Sequence, residues 1–596
     1  MKPKKIIYSA IVAFLLNGCS LDYQNTATIT PDNVWSDKVM INAFMSDIYG
    51  RMSPGWPIGA NGTDEGMNGP TDMVNYSRGV ISIEEHGQKW NYENIDRINF
   101  LLKQLETVTV LSDSEKQVLR AQALFWRSWD YWGKVWTTGG VPLILDVQDV
   151  SNLPSLFVNR NTTSECVAQI LKDLDEAIAV LPDTWTGADF GKIDKGTAMA
   201  FKGRLLLQYA SPLFNPNNDQ SRWDHAYTAN KDAVDFLKSV GKGLFTGKFE
   251  DIWYNERNNE VVMVNQFYYP DHRLDQKNIR PEPLTKDMAD QNQAIFPLLM
   301  AFPKKDGSKL ELDINRLKND PAYNEQFLTD FYIGRDSRFY ASIFTPGTTY
   351  PASDVLKDGA KYWNTWKKVA DPASESGFKY TTMIFEQMGK GIGAGSSGYF
   401  QLKGVDKALT IPTVYDAGTD WIEIRFTEVL MNYGECANEV GKSAEALQVL
   451  YDVRKRAGIE SGMGNYGILA STKSAIRQAY MDERFIEFAY EGKRWTDIRR
   501  WKRYDMLNAL KYRAGLNAVI KDENNLTKFD WKKDMYDADT RKLFRLEYVE
   551  NLDGNKQYQF NLDLNHWFYP VHQEVLDRNS KIEQNKEWGG TFDPLL

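Results

Sequence analysis

Helical periodicity at both ends of the chain is the feature that most constrains how it can fold. From Val34 to Arg51, apolar side chains recur at the spacing of one helix face. Ser112 with Glu115 has the spacing of a capping box, and a second such pair begins at Thr162. These patterns predict a helix-rich scaffold. The other predicted helices cover about 118–136, 167–181, 195–210, 224–240, 423–440, 443–457 and 472–490.

The predicted helices come mostly in pairs joined by short turns. A Gly-Lys-Ser turn at 441–443 separates two of them, and small residues flank it at Ala437, Ala444 and Ala446. Small side chains at such positions allow the close packing of a tetratricopeptide-type array, although the Trp and Pro spacing of that repeat is not present. We therefore predict a mainly α fold, with a single large domain of tetratricopeptide-like helix pairs.

The periodicity fails between about residues 241 and 420. Short strand-like pieces such as Val261 to Tyr269 alternate there with clusters of Pro, Gly, Asn and Asp. This composition predicts a loop-rich, partly β lobe inserted into the helical scaffold. The predicted segments are a signal peptide at 1–18, an N-terminal helical part at 19–240, the lobe at 241–420 and a C-terminal helical part at 421–596.

The first residues have the pattern of an export signal. Three lysines precede an apolar run from Ile6 to Leu16, which at about 1.5 Å per residue is too short to cross a hydrocarbon core about 30 Å thick. The sequence Leu16-Asn17-Gly18-Cys19 resembles a bacterial lipobox, which predicts lipidation of Cys19 and membrane attachment through that anchor. The alternative is an ordinary secreted protein with a coincidental cysteine.

The charge balance argues against a nucleic-acid partner. The 596 residues contain 71 Lys+Arg and 80 Asp+Glu, a formal net charge of -9. Removal of residues 1–18, which include three lysines, changes this charge to -12. An acidic chain repels a phosphate backbone at long range, so we expect no nucleic-acid binding.

The histidines and cysteines are too few and too scattered to predict a metal or cofactor site. Cys166 and Cys436 lie on helical patterns, which favours two buried free thiols over a disulfide. The segment 393–398 satisfies G-x-G-x-x-G, but the strand and helix of a dinucleotide site are not predicted around it, so we interpret it as a flexible loop. The histidines show no metal-ligand spacing and are His86, His225, His272, His566 and His572.

Several separated blocks resemble the SusD/RagB family of outer-membrane lipoproteins. Residues 482–501 match the family signature E-R-x-x-E-x-x-x-E-G-x-R-W-x-D-L-x-R-W nearly position for position. Residues 425–435 and 454–458 resemble two further family helices, except that Gly434 replaces the usual alanine. Two shorter blocks, at 139–143 and 568–574, also match, whereas 241–420 contains no motif of the family.

The resemblance implies a fold, a location and a function. It implies a single α-rich domain of four tetratricopeptide-like helix pairs without catalytic activity or cofactor. It also implies an outer-membrane, lipid-anchored protein that faces the cell surface and partners a SusC-like TonB-dependent transporter. The ligand class that it implies is a glycan, bound on the loop-rich side. Two alternatives remain: a surface glycoside hydrolase or lyase, and a structural lid subunit without its own sugar site.

The carboxylates of the signature form a row on one helix face. Glu483, Glu487 and Glu491 are spaced at i, i+4 and i+8, directly before an arginine-rich segment at 494–503. Carboxylates at this spacing could contribute to a metal site, but the nearby arginines would repel a cation. Because arginine binds carboxylates in a bidentate manner, we predict that the row is a charge-paired part of the scaffold.

A sugar site needs exposed aromatic rings flanked by hydrogen-bonding side chains. The Gly/Pro-rich loop at 56–78 has this composition, and the lobe offers further rings; for each ring, core packing is the alternative. Adjacent carboxylates at 64 and 65 also suggest a glycosidase, but that reaction needs two carboxyl groups across the sugar, about 5–10 Å apart. The predicted ligand contacts are Trp56, Asn61, Asp64, Asn75, Tyr76, Arg78, Tyr268, Tyr269, Trp363 and Trp366. We expect core positions for Trp90, Trp126, Trp129, Trp132 and Trp136.

Overall fold

The computed structural model describes residues 34–57, 59–281, 292–348, 366–372, 377–382, 397–522 and 533–596. The predicted signal peptide, Cys19, Trp363 and the glycines at 393 and 395 lie outside the described residues. Among the helices of the described ranges, none is both long and apolar enough to cross a bilayer.

Helices α1 to α8 form the N-terminal part of the chain. Their bounds are Lys38–Met52, Ile83–His86, Glu93–Thr107, Asp113–Thr138, Leu153–Leu156, Thr163–Val180, Lys195–Ala210 and Gln220–Ser239. Both predicted capping boxes form, at Ser112 before α4 and at Thr162 before α6. Helix α8 begins before its predicted start, because the Asp219 side chain accepts a hydrogen bond from the backbone N–H of Ser221 and caps the helix there.

Helices α9 to α19 follow in the middle and C-terminal parts. Their bounds are Phe296–Ala301, Ile314–Asn319, Pro321–Tyr332, Ser337–Ser342, Phe426–Glu439, Ser443–Arg456, Lys473–Glu487, Arg494–Arg500, Tyr504–Leu510, Ala538–Arg541 and Gln573–Arg578. Helix α15 ends at Glu487, earlier than predicted. Beyond it, Tyr490 has a φ of 62°, in the left-handed region that a helix cannot contain.

The strands are short and join distant parts of the chain. Strands β1 to β10 cover Gly66–Met67, Val261–Asn265, Gln293–Ala294, Ile343–Phe344, Trp366–Ala370, Phe378–Thr382, Phe400–Gln401, Trp421–Arg425, Gly515–Ile520 and Phe544–Val549. One sheet has the order β10-β9-β5-β6, with β5 parallel to β9 and the other pairs antiparallel. This sheet therefore joins the middle lobe to the C-terminal part, where the periodicity had not predicted strands.

The long helices form one continuous packed array. Helix α3 packs on α4, α4 on α6, α6 on α7 and α7 on α8. Helix α8 then packs on α13, which continues through α14 to α15. The array thus passes from the N-terminal to the C-terminal part without a break, while the residues between them form the lobe. The prediction of a mainly α fold of tetratricopeptide-like helix pairs is confirmed.

Two apolar clusters form the main cores. The larger lies between the array helices and includes the fully buried Trp126 and the buried Trp132, as predicted. Trp90, Trp129 and Trp136 are only partly buried and pack against this cluster. The second cluster lies between the lobe and the C-terminal part; its members include Phe331, Phe339, Tyr399, Ile486 and Leu516.

Both predicted free thiols are confirmed. Cys166 and Cys436 are buried and unpaired. Burial raises the pKa of the Cys166 thiol to about 11, so it remains protonated and unreactive at neutral pH.

The carboxylates of the signature lie in a buried ion-pair network. Arg338 pairs with Glu483 at 2.7 Å and with Glu487 at 2.9 Å. Arg425 pairs with Glu487 at 3.1 Å and binds both oxygens of Glu491 at 2.9 Å each. Burial disfavours ionisation of Glu487, but the attraction of the surrounding arginines outweighs it and holds the pKa well below the usual value. The network also includes Glu260, Lys403, Arg454 and Arg456.

The prediction of a charge-paired scaffold is confirmed, although the pairing partners come from elsewhere in the fold. They lie on β8, on α14 and in the lobe, which includes α12, rather than on the following arginine-rich segment. Arg500 instead binds Glu435 through two hydrogen bonds of 2.6 and 2.7 Å, and Arg499 donates to the carbonyl oxygen of Trp567. Arg503 pairs with the exposed Asp505.

We predict that Glu487→Ala destabilises the protein. The change leaves buried arginines without their carboxylate, a loss that typically costs about 3–5 kcal/mol. Denaturant unfolding should therefore show a lowered free energy of unfolding. Glu574→Ala is the control, because Glu574 forms its ion pairs at the surface and should change little. Normal stability combined with lost ligand affinity would contradict a structural role for the row.

Candidate functional site

A first cavity, of about 320 Å³, lies between the loop after α1 and the segment that joins α15 to α16. We call it the signature cavity, because residues 490–495 of the signature line it. Its walls combine small residues with aromatic rings and a few buried polar groups. Its lining residues are Pro57, Gly59, Ala60, Gly62, Thr63, Glu65, Val74, Tyr76, Asn292, Tyr490, Gly492, Arg494, Trp495 and Tyr569.

The adjacent carboxylates at 64 and 65 are engaged by the signature segment. Arg494 binds both oxygens of the buried Asp64, at 2.8 and 2.6 Å. The backbone N–H of Tyr490 donates to Glu65 at 2.6 Å, and burial raises the pKa of Glu65 to about 7. The two groups therefore attach the loop to the signature between the end of α15 and the start of α16. They do not form the pair of accessible carboxyl groups that glycoside hydrolysis needs across its substrate.

Tyr76 is part of the core, so the expectation of an exposed ring is wrong. Its ring centroid lies 4.5 Å from that of Tyr569 and 5.4 Å from that of Trp495. Its hydroxyl donates to the carbonyl oxygen of His566 at 2.6 Å. The burying residues come from the C-terminal part of the chain, which no local sequence pattern around Tyr76 could indicate.

Trp56 also packs against the protein instead of presenting an exposed ring face. Its indole N–H donates to the carbonyl oxygen of Thr419 at 3.0 Å, and its ring lies 4.9 Å from the ring of Trp421. The ring covers Gly404 so closely that a Cβ at that position would lie 1.9 Å from it. Trp56 thus attaches the loop to the lobe, and its half-buried ring contradicts the expected exposure.

The other residues of this loop that were predicted to bind ligand lie in different environments. Asn61 is buried and donates to the side chain of Asp72 at 3.3 Å. Asn75 is exposed, and the guanidinium of Arg78 lies 4.3 Å from the ring centroid of Tyr558. Of the six predicted residues between 56 and 78, only Tyr76 lines the signature cavity, as far as the described residues show.

A second cavity, of about 390 Å³, lies beside the other predicted rings. We call it the tyrosine cavity, because Tyr49 and Tyr268 line it. Amide side chains contribute much of its polar surface. Its lining residues are Asn42, Met45, Ser46, Tyr49, Gly50, Ser53, Leu119, Gln122, Phe190, Gly191, Lys192, Val264, Asn265, Gln266, Tyr268 and His272.

The turn after β2 holds two tyrosines at the surface. The backbones of Tyr268 and His272 exchange hydrogen bonds of 2.6 and 2.9 Å. The N–H of Phe267 donates to Asp420 at 2.7 Å, and the Phe267 ring stacks on that of His272 at 4.5 Å. These contacts fix the turn, which leaves Tyr268 and Tyr269 exposed over 55% and 63% of their surface.

The structure does not test the two tryptophans that were predicted to bind ligand in the lobe. The backbone of Trp366 begins β5, opposite Thr382 of β6. Trp363 lies outside the described residues. Both assignments stay predictions.

Potential metal ligands are also dispersed. The described residues contain no cluster of three or more His, Cys, Asp or Glu side chains suited to hold a metal ion. His86 contacts the side chain of Asn75, and His566 stacks on Trp588.

No sequence pattern indicated the polar wall of the tyrosine cavity. Its amides are Asn42 on α1, Gln122 on α4, and Asn265 and Gln266 at the end of β2. Each is an ordinary polar residue in its own segment. Only the packing of α1 against α4 and the position of β2 bring them together, so no sequence signal marked them.

We predict that Tyr76→Ala destabilises the protein, unlike a change at an exposed loop residue. Replacement of a buried aromatic ring by alanine typically costs about 3–5 kcal/mol. Tyr76→Phe keeps the ring and removes the hydroxyl, which donates to His566 and accepts from Tyr504 at 3.3 Å; each hydrogen bond is worth about 1 kcal/mol. Thermal and denaturant unfolding should rank the variants in this order, with exposed Asn75→Ala as the control. Equal stability of the alanine and wild-type proteins would refute the packing role.

Two family models match two separate parts of the chain. The model described as the SusD family matches residues 297–588. A second model, described as starch-binding associating with outer membrane, matches residues 74–207. The second description names a ligand and a location for that family.

Relatives of the chain are SusD-like proteins. A SusD-like protein of Bacteroides ovatus is 23% identical over 623 residues, which cover 97% of each chain. SusD-like protein P2 of Formosa agariphila is 36% identical over only 93 residues, 15% of this chain and 18% of that protein. The crystal structure of a SusD-like protein from Bacteroides fragilis covers 93% of this chain and 98% of its own, with a TM-score of 0.69 and 20% identity.

The family matches, the shared fold and the near-complete signature at residues 482–501 agree. The chain belongs to the SusD/RagB family.

Proposed function

We propose that this protein binds oligosaccharide at the cell surface and delivers it to a SusC-like TonB-dependent transporter, without catalysing a reaction on it. The observation that carries the proposal is the fixed turn that exposes Tyr268 and Tyr269 beside a cavity lined with amides. A flat sugar ring stacks on aromatic rings, and its hydroxyl groups form hydrogen bonds with amide side chains. The description of the matching family as starch-binding supports this ligand class.

The charges around the tyrosine cavity favour a neutral sugar. Its lining includes the cationic Lys192, but the ammonium group pairs with Asp189 at 2.5 Å. The protein as a whole carries a net negative charge. An acidic glycan would be repelled by that charge and would find no unpaired arginine among the described lining residues.

Binding is favoured over hydrolysis, because the carboxylates that suggested a glycosidase are engaged. Asp64 is neutralised by Arg494, and Glu65 accepts the N–H of Tyr490. Delivery to a transporter requires that both proteins share one membrane. Lipidation at Cys19 would place this protein on the outer membrane, facing outward, where the matching family is described as associating.

The proposal is tested on the purified mature protein with a panel of neutral and acidic glycans. Calorimetry measures affinity, and chromatography of the same mixtures detects products. Binding of a neutral glycan without products is the expected result. Turnover of any glycan would instead support a hydrolase, and the absence of both would support a structural lid.

We predict that Tyr268→Ala and Tyr269→Ala each weaken glycan binding by about 1–3 kcal/mol, the effect of removing one anchoring ring from a small interface. Melting temperatures should barely change, because both rings are more than half exposed. Tyr536→Ala, which removes a 44% exposed ring from another part of the surface, is the matched control. Wild-type affinity in both turn variants would exclude the turn from the site. Affinity that falls steeply with salt would contradict a neutral ligand.

We predict that Cys19→Ala releases the protein from the membrane fraction without changing its fold. The acyl chains attached to this residue would supply the anchor, since each buried methylene contributes about 0.8 kcal/mol. Cell fractionation with and without the transporter partner measures the effect. If the variant stays in the membrane fraction without that partner, the lipobox interpretation is wrong.

A further inference from the structure

A separate aromatic groove of about 190 Å³ lies on the helical array. We call it the tryptophan groove. It lies between α4 and α7, with α16 at one end, and shares no lining residue with either cavity described above. Its lining residues are Trp129, Trp132, Gly133, Trp136, Phe201, Arg204, Gln208 and Thr496.

A glycine inside α4, five residues before the end of the helix, keeps this groove open. Gly133 is exposed, and Trp129 and Trp136 lie four and three residues from it on the same helix face. Glycine is a poor helix former and is usually found inside a helix where packing or function requires it. Packing does not require it here, because a Cβ at 133 would meet no atom within 4 Å. A side chain at this position would instead fill the groove between the two indoles.

The groove presents hydrogen-bond donors that the protein does not use. Gln208 is buried and accepts from the indole N–H of Trp132 at 2.7 Å. Because an indole can only donate, the amide oxygen must face it, which leaves the NH₂ group without a partner among the described residues. Within those same ranges, the hydroxyl of Thr496 and the indole N–H groups of Trp129 and Trp136 also have no acceptor.

The one charged side chain of the groove is already neutralised within the fold. The Arg204 guanidinium binds Glu423 at 2.7 Å and Glu428 at 2.6 and 2.8 Å. The groove therefore offers two partly exposed indole rings and neutral donors, but no free charge on its described lining residues. This combination fits a ligand with flat apolar faces, many acceptor oxygens and no ionised group.

We propose that the tryptophan groove binds one sugar unit of a neutral oligosaccharide, as a second saccharide site on the helical array. The proposal rests on the proposed function for its ligand class, but on none of the residues of the Tyr268 turn. A pyranose ring would lie over Gly133 between Trp129 and Trp136, with its hydroxyl oxygens accepting from Gln208 and Thr496. Two separated sites would let one protein hold a long glycan chain at two points, which raises its avidity.

The test uses the full mature protein labelled with 5-fluorotryptophan, whose fluorine resonances report on each indole. Trp129→Phe and Trp136→Phe identify the two resonances of the groove. The probes are maltohexaose, cellohexaose, laminarihexaose, xylohexaose and mannohexaose, with a proline decamer as a peptide that also binds aromatic grooves. At least one hexasaccharide should shift both groove resonances saturably.

Two glycine variants separate the groove from the tyrosine cavity. Gly133→Leu should weaken the groove shifts more than tenfold, with no fall in melting temperature because the position is open and helical. Gly50→Leu is the matched variant, since Gly50 on α1 lines the tyrosine cavity and also has no atom within 4 Å of a Cβ. It should leave the groove shifts unchanged.

The outcomes distinguish this proposal from the proposed function. Absence of groove shifts with every hexasaccharide, shifts that survive Gly133→Leu, or shifts with the proline decamer alone would each overturn the second site. If calorimetry still shows binding that Tyr268→Ala removes, the proposed function stands without the groove. If the groove shifts occur while Tyr268→Ala and Tyr269→Ala bind normally, the groove stands and the turn is excluded.

Discussion

The buried ion-pair network around Glu487 is the interaction on which the rest of this structure depends. Its carboxylates come from α15, from Glu491 just beyond that helix and from Glu260 of the lobe, and its cations come from β8, α14 and the lobe, which includes α12. The cations therefore attach β8, α14 and the lobe to the C-terminal end of the last long helix of the array. Burial of so many charges costs solvation energy, which is recovered only where all partners are in place together. We infer that the network makes the relative positions of lobe and array an all-or-none property of the fold.

The signature also holds in place a loop that is distant from it in the sequence. Arg494 of the signature binds Asp64, and the backbone of Tyr490 binds Glu65, so the loop after α1 is attached to the same helix end. Trp56 attaches the other end of that loop to the lobe. The loop at 56–78, which was predicted to bind sugar, thus connects α1, the signature and the lobe. Its aromatic residues stabilise the fold, and the exposed rings are found on the turn that β2 leads into.

The two proposed saccharide sites both present aromatic rings and hydrogen-bonding groups, but on different secondary structure. At the tyrosine cavity, rings project from a turn that is fixed by backbone hydrogen bonds. In the tryptophan groove, rings project from a long helix and are separated by a glycine. Both present amide or hydroxyl groups and paired charges, which suits neutral hydroxyl-rich ligands. Both supports are rigid, the first through the hydrogen bonds of the turn and the second through the helix, so each would hold its rings in a fixed geometry.

The sequence by itself determined most of the long helices, their pairing and the charge-paired nature of the glutamate row, because periodicity, capping boxes and i, i+4 spacing are local properties of the chain. It also placed the free thiols correctly, since Cys166 and Cys436 lie on apolar helix faces. Only the tertiary structure decided which rings are exposed. Tyr76 is buried by residues about 420 to 490 positions away, and no local pattern distinguishes it from Tyr268. The same holds for Gly133, whose open surroundings depend on how α7 packs against α4. Exposure and cavity shape arise from contacts between distant segments, and no local sequence pattern indicates those contacts.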